Sequence, residues 1–251
     1  MKTKQLSSII CLLLMCGAVK AQVNLQEVYD FNRNQMKTTL EVFPEDSWGK
    51  TYSFVDIYQT VDFVAPSVIY TEIGRSINFW NDTVLKDFSL HIEYNGGCGI
   101  SYENGLGFTG LPINNAWLFG AEYSIHSKND TNYLTLRVSY KIISGTHSEI
   151  PMQLTAVWSA NDLFGVKNLV LFGFADFWWE DNTWDSIERS NTKCVFLAGP
   201  QLWYNIGRLF NCKNLFVGGS VEVSCNFTGN GPCPAKPGWR VNPASGLKWN
   251  F

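Results

Sequence analysis

The chain carries carboxylates inside segments that alternate like β-strands, and several have apolar residues on both sides. The stretches 55–57 (VDI), 175–177 (ADF) and 221–223 (VEV) show this pattern. The acidic residues in such segments are Glu41, Asp56, Glu72, Glu93, Glu122, Asp176 and Glu222. Because an ionised carboxylate that points into lipid is costly, we expect these side chains to face a polar interior.

Basic residues in the same kind of segment can pair with these carboxylates. They are Arg75, Arg137, Lys141, Arg240 and Lys248. Two interpretations remain open for this set. The charges either fill and stiffen the interior of the fold, or they offer hydrogen bonds along a solute path.

The histidines give little support to catalysis. A lipid-acting hydrolase would need His91 as a base beside a serine, with a third group to orient it. No G-x-S-x-G sequence is present, and no serine is singled out near His91. We therefore interpret His91 as a polar interior residue, place His126 and His147 in surface turns, and expect no enzyme.

The segment 239–251 has the pattern of a membrane-spanning strand that ends in phenylalanine. One face is mostly apolar and includes Val241, Leu247 and Trp249, whereas the other includes Asn242 and Lys248. A lipid-facing side and a wet side are what a transmembrane β-barrel needs.

Similar alternation recurs along the chain and predicts about twelve antiparallel strands. The predicted strands are 23–32, 35–43, 51–62, 67–79, 87–95, 115–126, 131–143, 151–160, 168–180, 193–206, 214–227 and 239–251. An even number places both termini in the periplasm. The connections 96–114, 181–192 and 228–238 are then long outer loops, although 63–66 is short and 172–174 alternates poorly. We find no internal repeat and expect one domain.

Composition agrees with a membrane barrel. Aromatic residues make up 15% of the chain and charged residues only 16%, whereas about 25% charged residues is usual in a soluble domain. Mean hydropathy is −0.07, and no long apolar run follows residue 21, which excludes a helical membrane protein. The net charge of −3 argues against a nucleic-acid partner. A secreted β-sandwich is the alternative.

Residues 1–21 have the features of a cleaved secretory signal peptide. Lys2 and Lys4 precede a short apolar stretch at 9–15, and 19–21 (VKA) resembles a cleavage site. The apolar stretch is far shorter than the ~20 residues of a spanning helix. We therefore expect a mature barrel of residues 22–251 in the outer membrane of a Gram-negative cell.

Cysteines suggest no metal or cofactor. Cys98, Cys194, Cys212, Cys225 and Cys233 remain after removal of the signal, and none has zinc-ligand spacing. Cys225 and Cys233 flank a loop rich in glycine and proline. The sequence leaves open whether they form a disulfide or stay two free thiols.

Motifs spread in order over the mature chain resemble the nucleoside-specific channel-forming (Tsx-like) outer-membrane family, in particular an uncharacterised branch of it. They are 39–43 (TLEVF), 48–49 (WG) with 52–56 (YSFVD), 72–77 (EIGRSI), 93–97 (EYNGG), 173–178 (GFADFW), 200–205 (PQLWYN) and 247–251 (LKWNF). The resemblance implies a monomeric barrel of about twelve strands with a narrow pore for nucleosides, and it also implies that the terminal phenylalanine is an insertion signal.

We therefore predict a passive channel for nucleosides or similar small solutes, whose partners are the solute and the outer-membrane lipid. The candidate solute-path residues, expected to face the lumen, are Glu41, Asp56, Glu72, Arg75, Glu93, Asp176, Gln201 and Asn205. The alternative is a closed barrel that binds a partner through its loops and transports nothing. Lumen-facing Phe174 and Trp178 would favour that alternative.

Overall fold

The chain folds into one β-sheet that closes on itself. The computed structural model describes residues 20–59, 66–80, 82–103, 107–128, 131–183, 191–227 and 237–251. The strands in these ranges are β1 (Lys20–Asp30), β2 (Gln35–Asp46), β3 (Gly49–Gln59), β4 (Pro66–Ile77), β5 (Phe88–Glu103), β6 (Gly107–His126), β7 (Tyr133–Ile143), β8 (Met152–Asn161), β9 (Leu169–Thr183), β10 (Asn191–Ala198), β11 (Gln201–Tyr204), β12 (Leu215–Cys225) and β13 (Trp239–Asn250). Across the same ranges, no helix is long and apolar enough to cross a membrane.

Pairing between the first and last strands closes the sheet. β13 pairs antiparallel with β12 on one side and with β1 on the other, where Asn24 lies opposite Asn250. β10 and β11 both lie between β9 and β12, so these two segments make one pass through the wall. Thirteen strands, two of which share a pass, give a closed antiparallel barrel of twelve passes. The predicted fold class is confirmed.

The break between β10 and β11 lies at Gly199 and Pro200, inside the predicted strand 193–206. The Gly199 amide still donates to the Phe174 carbonyl at 3.0 Å, whereas proline has no amide to donate. The ring of Phe174 lies on Gly199, where a Cβ atom would be only 2.7 Å from its Cε1. This explains the poor alternation at 172–174: Phe172 and Phe174 both face inward, and Gly173 between them packs on Pro200.

Alternation along each strand separates a lumen face from a lipid face. In β13 the side chain of Val241 is 53% exposed, whereas that of its neighbour Asn242 is 2% exposed. Leu136, Val138 and Tyr140 on β7 are likewise exposed, and Arg137 and Ser139 between them are buried. The outer surface is therefore apolar and the interior polar, as the sequence predicted.

The predicted long loop at 96–114 is wrong. β5 and β6 continue to Glu103 and from Gly107, and they pair with each other across this whole stretch. A register shift between Asn95 and Gly97 marks where the extension begins. Glycine and Pro112 signalled a loop here. Because β6 pairs with β7 only from Ala116 onward, Pro112 lies in a strand with one partner, where its missing amide is tolerated.

The two ends of the barrel differ in their connections. One end, here called the termini end, carries Lys20 and Phe251, the first and last described residues, and the connections 47–48, 78–87, 127–132, 162–168 and 205–214. The other, here called the loop end, carries the remaining connections. The predicted outer loops at 63–66, 181–192 and 228–238 fall partly outside the described residues. Cys233 and the predicted signal peptide, apart from its last two residues, lie outside them altogether.

Candidate functional site

Arg137 on β7 is the centre of a buried ion-pair network in the lumen. Its Nη1 donates to Glu93 Oε2 on β5 at 2.9 Å, and its Nε donates to Glu122 Oε2 on β6 at 3.0 Å. The three side chains have less than a tenth of their surface exposed. Antiparallel register produces this meeting, because Arg137 lies directly opposite Glu122. The guanidinium supplies a permanent positive charge to two buried carboxylates.

His91 extends this network toward β4. Its Nε2 lies 3.1 Å from Glu93 Oε2, and its Nδ1 lies 3.0 Å from the Ser76 hydroxyl oxygen. Sequence reasoning missed Ser76, although the pairing of β4 with β5 places it opposite His91. The contacts resemble a Ser-His-acid chain. The His91 side chain is, however, fully buried, and Glu93 already pairs with Arg137. We therefore interpret Ser76, His91 and Glu93 as a structural hydrogen-bond network, here called the brace.

Tyr52 covers the brace from the lumen side. Its ring stacks on His91 with centroids 6.1 Å apart, and the Arg137 guanidinium lies 5.7 Å from the ring centroid. Gly74 makes this position available, because a Cβ atom there would lie 2.3 Å from Tyr52 Cε1. The Tyr52 ring thus extends from β3 along the inner wall to His91 on β5 and Arg137 on β7.

A second polar group surrounds Asp176 on β9. Its Oδ1 accepts from Thr155 Oγ1 at 2.5 Å and from Gln153 Nε2 at 3.0 Å. Gln153 in turn accepts from Lys141 Nζ at 2.7 Å, and this ammonium lies 3.8 Å from the ring centroid of Trp178. Here a cation, an aromatic face and an acid line the same part of the lumen.

Glu72 on β4 faces the Asp176 group across the lumen. The Tyr70 hydroxyl donates to Glu72 Oε1 at 2.6 Å. Glu72 also lies within electrostatic range of Glu93, Asp176 and Lys141, which come from three other strands. The interior is therefore narrow enough for charges on separate walls to interact.

Toward the loop end, Arg33 reaches from the β1–β2 turn into the lumen. It pairs with Asp30 at 2.9 Å and with Glu222 on β12 at 2.5 Å. Lys37 Nζ donates to Asp56 Oδ2 at 3.2 Å, and Thr39 Oγ1 donates to Asp56 Oδ1 at 2.5 Å. A cavity of about 30 Å³ remains between these groups, which is room for about one water molecule.

Toward the termini end, aromatic rings narrow the lumen. Phe43 on β2 meets Phe172 on β9 edge to face, with centroids 6.5 Å apart. Trp203 on β11 is completely buried, and its Nε1 donates to Gln201 Oε1 at 2.9 Å. Lys248 Nζ lies 5.1 Å from the centroid of the Trp203 ring. The sequence analysis did not single out Phe43, Phe172 or Trp203, because the residue on the opposite wall is not visible in one strand's pattern.

The structure places most of the predicted path residues on the lumen face. These are Glu41, Asp56, Glu72, Glu93, Asp176 and Gln201. Glu41 accepts from Asn24 Nδ2 at 2.8 Å. Asn205 lies beyond β11, where its Nδ2 donates to the Lys213 carbonyl at 2.8 Å and ties the turn at the termini end.

The prediction for Arg75 is wrong. Arg75 lies on the lipid-face parity of β4, opposite the exposed Ile92. Its guanidinium donates to Thr51 Oγ1 at 2.9 Å and pairs with Asp46 at 2.7 Å near the termini end. Since Glu72 faces inward, Arg75 three residues later must face outward. The long side chain keeps its charge at the rim, where it reaches a carboxylate and water.

The family model described as Domain of unknown function (DUF5020) matches residues 24–251. The chain belongs to this family. No curated protein matches it. In the described part of the chain, no group of three or more His, Cys, Asp or Glu side chains has an arrangement that could hold a metal ion.

Two porins of known structure resemble the barrel. For the NanC porin the sequence identity is 7%, the match covers 91% of this chain and 100% of that chain, and the TM-score is 0.55. For the KdgM porin, solved in complex with disordered oligogalacturonate, the identity is 14%, the coverage is 92% and 99%, and the TM-score is 0.47. The similarity to NanC shows that this member of the family has the fold of an outer-membrane porin.

Proposed function

We propose that the protein is a narrow outer-membrane channel for the passive uptake of small polar solutes. One observation carries the proposal: hydrogen-bonding and charged side chains line the lumen from the Arg33–Glu222 pair at the loop end to Glu41 near the termini end. A barrel with only a structural role gains nothing from so many charges, because apolar side chains of similar volume are often at least as stable. Ionisable groups at membrane depth generally mark a pathway.

Nucleosides are the solute class that we favour. Aromatic rings and hydrogen-bonding groups alternate around the lumen, as in Trp178 beside Lys141 and Trp203 beside Gln201. A base stacked on such a ring gains about 1–3 kcal/mol, and amides or carboxylates can bind ribose hydroxyls. The resemblance of the motif series to the Tsx-like channels supports the same class. Binding must stay weak, because a solute that binds tightly does not leave.

Liposome swelling tests this solute class. Vesicles containing the protein are diluted into nucleosides or into sugars of equal size, and the initial swelling rates are compared. We expect faster swelling with nucleosides. Equal rates would remove the nucleoside preference but keep the channel, whereas no swelling with any solute would remove the channel as well.

A closed barrel is the second candidate, and the Phe43–Phe172 contact favours it. The two rings meet across the lumen, and polar lumen residues such as Glu93 and Asn242 are almost fully buried. Planar-bilayer recording separates the two functions. A channel gives single-channel steps, at least after the two rings are removed, whereas a closed barrel gives none in either form.

A further inference from the structure

Two turns at the termini end have similar sequences. Residues 163–169 read LFGVKNL and residues 209–215 read LFNCKNL, so that five of the seven positions are identical. The two turns connect β8 to β9 and β11 to β12, and the Asn205 amide joins them by donating to the Asn168 carbonyl at 3.2 Å.

The repeat has a conformational basis. Its third position is Gly165 in the first turn and Asn211 in the second, and these residues have φ values of 76° and 57°. This left-handed region suits glycine and asparagine best. Each connection also contains a 3-10 turn, Leu163–Gly165 in the first and Gly207–Phe210, which begins two residues before the repeat, in the second. The two turns share the left-handed residue at the third position, whereas Phe164 and Asn168 of the first turn also have positive φ and their counterparts Phe210 and Asn214 do not.

Both turns present apolar side chains away from the barrel. Phe164 is 91% exposed, Leu209 is 72% exposed and Phe210 is 73% exposed. These values exceed those of Leu202 and Val217 on the lipid face of the strands directly above, which are 45% and 40% exposed. The two turns thus place exposed apolar side chains at the rim, next to strands whose outer face is apolar.

Basic residues accompany the apolar ones. Lys167 and Lys213 occupy the same position of the repeat and are exposed, as is Arg208. The neighbouring acid, Asp162, accepts from the Asn168 amide at 2.7 Å and so takes part in the turn itself. Apolar side chains flanked by lysines match the boundary between acyl chains and anionic headgroups.

The opposite side of the same rim has a similar composition. Trp48 and Phe79 are both exposed and form an edge contact at 5.8 Å. Two exposed lysines lie at the same level: Lys50 is the second residue of β3, and Lys86 belongs to the connection 78–87. Aromatic and basic residues at one level are typical of protein at a membrane interface.

We propose that the two repeated turns form one binding surface for anionic phospholipid. Phe164, Leu209 and Phe210 enter the acyl-chain boundary, and Lys167 and Lys213 bind headgroup phosphates. The occupant follows from continuity with the lipid face and from charge complementarity. A surface meant for a soluble protein partner would not need to prolong the apolar belt of the strands.

Lipid titration of the folded full chain in detergent micelles tests the proposal. Phosphatidylglycerol or phosphatidylcholine is added, and bound lipid is counted by native mass spectrometry. We expect phosphatidylglycerol to bind more tightly, and K167Q/K213Q to weaken its binding by roughly tenfold while phosphatidylcholine binding stays unchanged. K193Q removes an exposed lysine at the loop end and is the matched control.

A second variant tests the apolar part. F164S/L209S/F210S should weaken the binding of both lipids, because it removes acyl-chain contact and keeps the lysines. Gel mobility before and after boiling verifies that each variant is folded. Equal affinity of the wild type for the two lipids would overturn the proposal, and so would unchanged phosphatidylglycerol binding in folded K167Q/K213Q. Either result would assign the turns to a protein partner instead.

Discussion

Phe43 and Phe172 belong to strands on opposite sides of the barrel, yet their rings meet edge to face with centroids 6.5 Å apart. Neither ring lies in the lipid face, so the contact can form only through the lumen. An edge contact of this kind contributes about 0.5–1.5 kcal/mol beyond its buried area. It is therefore strong enough to favour a narrowed lumen and weak enough for thermal opening.

Replacing both rings should widen the pore. We expect F43A/F172A to raise single-channel conductance severalfold in planar bilayers, because the variant removes the side chains that meet across the lumen. L40A on the lipid face of β2 is the control and should leave conductance unchanged. If F43A/F172A conducts no better than the wild type, these rings do not limit the pore.

Loss of Arg137 should destabilise the barrel. R137M keeps much of the side-chain volume but leaves Glu93 and Glu122 without their guanidinium partner. Breaking a buried ion pair on one side costs about 3–5 kcal/mol, which urea unfolding in micelles would detect. The triple variant R137M/E93Q/E122Q should recover part of the loss. K50M removes a mostly exposed lysine and should have little effect; R137M as stable as the wild type would contradict the ion-pair argument.

Sequence alone could predict the barrel because its alternation is local. Val241 and Asn242 are assigned to opposite faces by parity, and the structure agrees. The prediction that Arg75 faces the lumen rested on a motif, whereas parity places Arg75 on the same face as the exposed Ile73. The Ser76–His91 and Phe43–Phe172 contacts required more information. The first depends on the register between two strands, and the second depends on how far the closed ring brings opposite walls together.

Gly74 should tolerate no side chain while Tyr52 is present. In G74A the new methyl group would lie 2.3 Å from Tyr52 Cε1, and the ring cannot retreat because it stacks on His91. We expect a loss of about 1–3 kcal/mol in unfolding free energy from this overpacking. The same substitution in a Y52L background should cost much less. Equal losses in the two backgrounds would show that Tyr52 is not the obstacle.

The lumen carboxylates on β4 and β9 should make the open pore prefer cations. Glu72 and Asp176 accept hydrogen bonds from Tyr70 and Thr155 at 2.6 and 2.5 Å, and neither has a direct salt bridge within the described residues. Their charge is therefore felt by a passing ion, at short range in salt. The test uses the F43A/F172A channel under a KCl gradient. E72Q/D176N should move the reversal potential toward zero. K141Q should move it away from zero, because Lys141 lies beside the same carboxylates. E149Q changes an exposed acid at the loop end and is the control. If neither lumen variant changes the reversal potential, ions do not pass beside these side chains.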